Sequence, residues 1–169
     1  MADWATFSIT APALADTIRR LFHQYGPGFG YLATVRPDGG PRVHPVSPVV
    51  TDDGLYCFVV RSPKRADLDR DGRYALHAYP AEDSDDEAYL SGRARPVLDP
   101  ERRRAVAKAY RAAPRVDWRL YEFTVEVAMV SSFQHRNVWP PRRMVWRDPL
   151  CCLGDDMYMP ATLEGVAGT

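Results

Sequence analysis

Three prolines, Pro41, Pro45 and Pro48, punctuate one extended run that ends near Val50. Proline has no amide hydrogen, so a strand carrying it at near-alternating positions is irregular or lies where a ladder partner is missing. Such a strand leaves backbone groups open to a ligand. The run follows the turn Pro37-Asp38-Gly39-Gly40, which in turn follows the β-prone residues 31–35, so residues 31–50 read as a β-hairpin. Asp52-Asp53-Gly54 then leads into a third strand, Leu55–Val60.

Around this hairpin the pattern is regular. Leu14, Ile18, Leu21 and Phe22 give residues 12–25 the spacing of an amphipathic helix, closed by Gly26-Pro27-Gly28. Ser62-Pro63 reads as an N-cap followed by proline at the first helical position, opening a short helix that stops at Asp71-Gly72. Residues 73–79 and 88–98 read as the fourth and fifth strands, and Asp99-Pro100-Glu101 caps a helix reaching about residue 112. Tyr121, Phe123, Val125, Val127 and Met129 recur at every second position and predict a sixth strand with one core face. Residues 144–146 are a candidate last short strand, and no regular pattern follows Pro149. The expectation is an α+β chain: a mostly antiparallel six-stranded β-barrel with an N-terminal helix and two short connecting helices, in one domain over residues 1–148, then an irregular tail, 149–169. The βαβ alternation of a doubly wound sheet is absent.

A chain of 169 residues with 46% hydrophobic residues is long enough to bury one substantial core. Its formal net charge is zero and no block of like charge dominates, which argues against a nucleic-acid partner. The first ten residues lack a basic segment followed by an apolar run, and apolar stretches such as Leu55–Val60 are too short to span a bilayer, so a soluble cytoplasmic protein without a membrane partner is expected. Cys57 lies in a strand, while Cys151 and Cys152 are adjacent; neither a disulfide framework nor metal-ligand spacing results, and no metal is expected. Lys64 and Lys108 are the only lysines beside many arginines, a bias that points to GC-rich coding and a bacterial source.

The chemistry concentrates in Arg61-Ser62-Pro63-Lys64-Arg65. Three cations surround the first turn of a helix, where the macrodipole already presents positive charge and unpaired amides, at a cost of roughly 0.3–1 kcal/mol each. An anion docked there reverses the sign, with the helix amides, the Ser62 hydroxyl and the Lys64 ammonium donating to one phosphate. The alternative is an arginine-rich surface that tolerates a suboptimal helix start.

Taken together, residues 31–35, Pro37-Asp38-Gly39, residues 41–46, Asp53-Gly54-Leu55-Tyr56, Ser62-Pro63-Lys64 and Asp67-Leu68 resemble the FMN-binding half of the pyridoxamine 5′-phosphate oxidase-like split-barrel family, over roughly residues 29–92. The resemblance implies a split barrel that binds FMN between the subunits of a homodimer and acts as an oxidoreductase on a small molecule. It assigns the flavin phosphate to Arg42, Ser62 and Lys64, with Arg65 beside them. The ring-facing segment would be Val43, His44, Pro45, Val46 and Ser47, with Val59 and Val60 as looser matches. Two departures limit it: Glu87 stands where the family's vitamin B6 oxidase has glutamine, and no substrate-binding Arg and His pair follows Trp146. Vitamin B6 oxidation is therefore not expected, and no catalytic side chain is assigned. The same fold accommodates the deazaflavin coenzyme, whose anionic tail Arg61, Arg65, Arg142 and Arg143 would suit. A haem-binding branch would need a ligand such as His135, and a flavin- or haem-binding carrier without turnover remains open.

Other residues are read more simply. His44 is a flavin contact or an ordinary strand histidine, His77 a packed or interface residue, and His23 helix surface. Trp139 and Trp146 with Arg142, Arg143 and Arg147 either close over the flavin or form a dimer edge. Arg102-Arg103-Arg104 reads as a solvated helix face, and residues 82–86 as a solvated acidic loop. Gly26-Pro27-Gly28 precedes a strand and is no dinucleotide fingerprint.

Overall fold

A computed structural model describes residues 1–110, 116–136 and 138–151. Strands β1 (Gly30–Val35) and β2 (Pro41–Val46) form the expected hairpin, with Thr34 opposite Arg42 and Leu32 opposite His44. At its turn the Arg36 amide donates to Gly40 O at 2.8 Å, and Gly39 adopts φ +84°, a conformation that favours glycine. That bond sets the parity of the ladder. Residues 42 and 44 face β1 with their amides, while 41, 43 and 45 turn theirs to the open edge, so Pro41 and Pro45 sacrifice no ladder bond. The chain bends at Ser47 into β3 (Pro48–Val50), which pairs with β4 (Leu55–Val60). One expected strand is thus two.

The remaining strands are β5 (Arg73–Ala78), β6 (Glu87–Pro96), β7 (Trp118–Phe123), β8 (Val127–Ser132) and β9 (Arg142–Arg147). Their order is β2-β1-β5-β6-β7-β4-β3, with β8 on β6 and β9 on β8, all antiparallel. The two ends of the path, β2 and β3, are separated only by Ser47, so the sheet curls back on itself as a split barrel. Among the described residues the strands number nine instead of six.

The second break lies in the clearest alternating segment. Phe123 pairs with Ala94 and Val127 with Ser91, so three residues, 124–126, face two, a β-bulge. Tyr121, Phe123 and Val125 point inward; beyond the bulge Ala128 and Val130 do, and Val127 and Met129 turn outward. Gly92 is what lets the bulge close. A Cβ there would stand 2.1 Å from Thr124 O.

The helices are α1 (Trp4–Thr10), α2 (Pro12–His23), α3 (Pro63–Arg70) and α4 (Pro100–Tyr110). Of these, α1 is absent from the sequence-based expectation. Asp3 caps it by accepting from the Thr6 amide at 2.8 Å, and Trp4 and Phe7 are fully buried. The α2 stripe, Leu14, Ile18, Leu21 and Phe22, fills the barrel core, each side chain contributing about 1.5–3 kcal/mol of burial. A second cluster, Val49, Tyr56, Val97, Val106 and Leu120, seats α4. Arg102 departs from the solvated-face reading: its guanidinium donates to Tyr56 OH at 2.8 Å and to Glu122 at 2.7 Å. Arg103 and Arg104 are exposed. The end of the expected helix beyond residue 110, Cys152 and most of the expected tail lie outside the described residues.

Candidate anion and cofactor site

The start of α3 lies beside β2. Ser62 is the N-cap residue, but its hydroxyl donates to Val60 O at 2.9 Å and makes no cap bond. No acidic residue occupies the first turn. Lys64 reaches across to Pro45 O at 3.4 Å, one of the carbonyls that β2 turns to its open edge, and Arg65 pairs with Asp117 at 3.1 Å. Arg61, Ser62, Arg65, Asp69 and Arg119 line an adjoining hollow of 390 Å³.

Arg42 is held by Asp67, a residue to which sequence alone gives no role of its own. Asp67, on α3 and 2% exposed, accepts from Arg42 Nε at 2.7 Å, from Thr34 Oγ1 at 3.0 Å and from Arg70 at 3.3 Å. Burial pushes the Asp67 carboxyl up, but the bonds from Arg42, Thr34 and Arg70 outweigh it and hold it below the usual range. Asp67 engages only Nε of Arg42. Among the described residues the two terminal nitrogens make no hydrogen bond, and these are the pair that can grip a phosphate or carboxylate in bidentate fashion. The signal in the sequence was spacing: Asp67 follows Lys64 by one helical turn, on the face a helix turns to its neighbouring strand.

His44 points to the same side of β2 as Arg42, since residues 42, 44 and 46 are the more buried set and 41, 43 and 45 the exposed one. Burial, and then the charges of Lys64 and Arg42, lower its pKa, with Asp67 opposing. Its Nε2 is buried without a hydrogen-bond partner, a situation that costs about 1–3 kcal/mol. Val46 and Val59 lie in the core and Ser47 at the bend, so among the expected ring contacts only Val43, Pro45 and Val60 are exposed. Cys57 is buried beneath, its thiol pushed up to about 12 by desolvation.

The outer face of the same sheet carries a largely apolar row. The register aligns Pro45, Tyr31, His77, Tyr89, Met129 and Val145 in one row across six strands. The next row is Val43, Ala33, Ala75, Ser91, Val127 and Arg147, apolar over its first three strands, so the β2-β1-β5 part of the face reads as a surface to be covered.

Another hollow, of 530 Å³, lies at the far end of the sheet and is lined by His77, Asp86, Glu87, Phe133, Arg136 and Trp139 among others. Arg143 stands over Trp139 at 5.8 Å from the ring centre. Within one chain this aromatic and basic segment does not join α3, because β9 is five strands from β2 in the sheet. Arg142 and Arg143 are therefore separated from Arg61 and Arg65. His135 is exposed and does not line the hollow. Among the described residues no group of three His, Cys, Asp or Glu side chains could hold a metal, and no helix is long and apolar enough to cross a membrane.

A curled antiparallel barrel with a cationic helix start beside a proline-bearing edge strand defines the class. The family model for pyridoxamine 5′-phosphate oxidase matches residues 14–133, and the chain belongs to that family. Solved structures share the fold. A pyridoxamine 5′-phosphate oxidase-related, FMN-binding protein from Nostoc punctiforme is 14% identical, with 81% of this chain and 89% of that one covered and a TM-score of 0.60. A protein of the pyridoxinephosphate oxidase family from Clostridium acetobutylicum, related to a general stress protein, is 12% identical over 85% and 95% of the two chains, with a TM-score of 0.57. A heme-binding protein from Mycobacterium smegmatis is 18% identical, with 75% of this chain and 55% of that one covered and a TM-score of 0.54. No curated protein sequence matches this chain.

Proposed function

We propose that this protein is an FMN-dependent oxidoreductase acting on a small molecule as a homodimer, with the flavin phosphate held by Arg42, Ser62 and Lys64. The observation that carries the reading is the clamp of Asp67 on Arg42, which fixes the guanidinium by one nitrogen and leaves two donors free beside Lys64. Bound flavin supplies hydride transfer at its ring. The chain's own part is to anchor the phosphate, to offer the unpaired backbone of Val43 to the ring and, with Val60, to exclude water from one side. The apolar outer row and the unpaired β2 edge favour a second copy as their cover. FMN added to purified protein is expected to shift its visible absorbance and lose fluorescence, at a stoichiometry of about one per chain; unchanged spectra at high protein concentration would reject the reading.

The hollow lined by Arg61, Arg65 and Arg119 supports one alternative on the same anchor, the deazaflavin coenzyme, whose longer anionic tail would lie along these arginines. Parallel titrations with the two coenzymes separate them: the alternative predicts that Arg61→Ala weakens only the deazaflavin.

A further inference from the structure

We propose that His44 is a further ligand of the anion held by Arg42 and Lys64, and that it takes up a proton from solvent when that anion docks. The inference rests on the reading of this corner as an anion site and does not require the anion to be a flavin. Residues two apart on one strand face are separated by roughly 6.5–7 Å, so an oxyanion gripped by Arg42 lies within reach of the next side chain on that face, which is His44. Lys64 closes the corner from α3, its ammonium on the carbonyl of Pro45, the residue after His44. The imidazole already has one nitrogen buried without a partner, which an anion oxygen would satisfy.

The charges around the ring decide the direction. From β2 it faces Arg42, and from α3 Lys64 and Asp67; Asp67 is itself shared with Thr34 of β1 and Arg70, and Cys57 of β4 feels Lys64 from below. Without an anion, burial and two cations favour neutral imidazole at pH 7. A docked dianion cancels those cations and adds an opposite charge, so the imidazolium becomes the stable form. In the step one N–H bond forms on the ring with a proton from solvent, and no electron moves. Binding then strengthens as pH falls through the window between the free and the anion-bound pKa, by about tenfold for each pH unit the window spans. A phosphate monoester loses part of its own charge near pH 6, which works in the opposite direction, so sulfate, constant in charge, is the cleaner probe.

The test is an NMR pH titration of the histidine Cε1 resonances, with His44 assigned by its loss in His44→Gln, carried out with and without saturating sulfate. The expected result is an upward move of the His44 pKa by about one pH unit or more on adding sulfate. A second arm follows FMN affinity from pH 8 to pH 6: the wild type should hold or gain affinity, while His44→Gln, folded by circular dichroism, should lose it as the phosphate protonates. A His44 titration unmoved by sulfate overturns the proposal even if FMN binds. A sulfate-raised pKa in a protein that ignores FMN keeps the anion site and rejects the flavin.

Discussion

The β2–α3 corner and the hollow beside β8 and β9 are built on different plans. At the β2–α3 corner the charges gather round one buried acid: three groups donate to Asp67, and what remains unpaired includes the outer half of Arg42 and Nε2 of His44. In the hollow beside β8 and β9 aromatic, acidic and basic side chains mix: Asp86 accepts from the Phe133 amide at 2.8 Å and Arg136 pairs with Asp85 at 3.7 Å, while Trp139 is 71% exposed. A corner so tied down can recognise an anion with little reorganisation, whereas an open one gains its shape from whatever covers it. On the proposed function, the corner would anchor the ligand and the hollow would select it.

Asp67→Ala is expected to damage the molecule most. Removing the acid leaves Arg42 and Arg70 without their buried partner and should cost about 3–5 kcal/mol in urea denaturation, together with FMN binding. The pH dependence follows from the same group. Its folded pKa is depressed, so its contribution is present above the unfolded value near 3.8 and is lost as pH falls through the folded one; the wild type should lose stability in acid in a step that the variant lacks. Lys64→Ala comes next. It is expected to weaken FMN by about 1.5–3 kcal/mol, read by fluorescence quenching, with the melting temperature unchanged.

Toward the open hollow, Gly92→Ala should destabilise the protein by about 1–3 kcal/mol, because the new methyl meets backbone at the bulge that sends β8 and β9 in that direction. Sulfate affinity at the corner should survive it. Trp139→Ala is the smallest, within about 0.5 kcal/mol of wild type in stability, since the ring is mostly exposed. Turnover of a bound substrate, measured beside it, is the readout expected to fall.

How much of this was legible in sequence follows the same division. The proline pattern, the turn glycines and the cations at Arg61, Lys64 and Arg65 act through local chemistry, so the hairpin, its open edge and the cationic start of α3 were readable from residue order alone. The break within residues 121–129 was hidden, because both faces are apolar beyond it: Ala128 and Val130 fill the core while Val127 and Met129 face the outer surface, so the change of phase leaves no polar residue out of step. Helix α1, seven residues long, is too short to show a period. The corner at Ser47 was blurred into one run because a change of sheet partner has no composition of its own. His44 stands out in sequence, but its buried, unpartnered nitrogen belongs to the fold.

The position of Lys64 has a practical corollary. The chain carries two lysine side chains, Lys64 half-buried at the β2–α3 corner and Lys108 exposed on α4. An amine-selective acylating reagent therefore has one side-chain target inside the corner and one internal standard outside it. Ligand should slow acylation at Lys64 and leave Lys108 unchanged, so peptide mass mapping reports occupancy even for a colourless ligand.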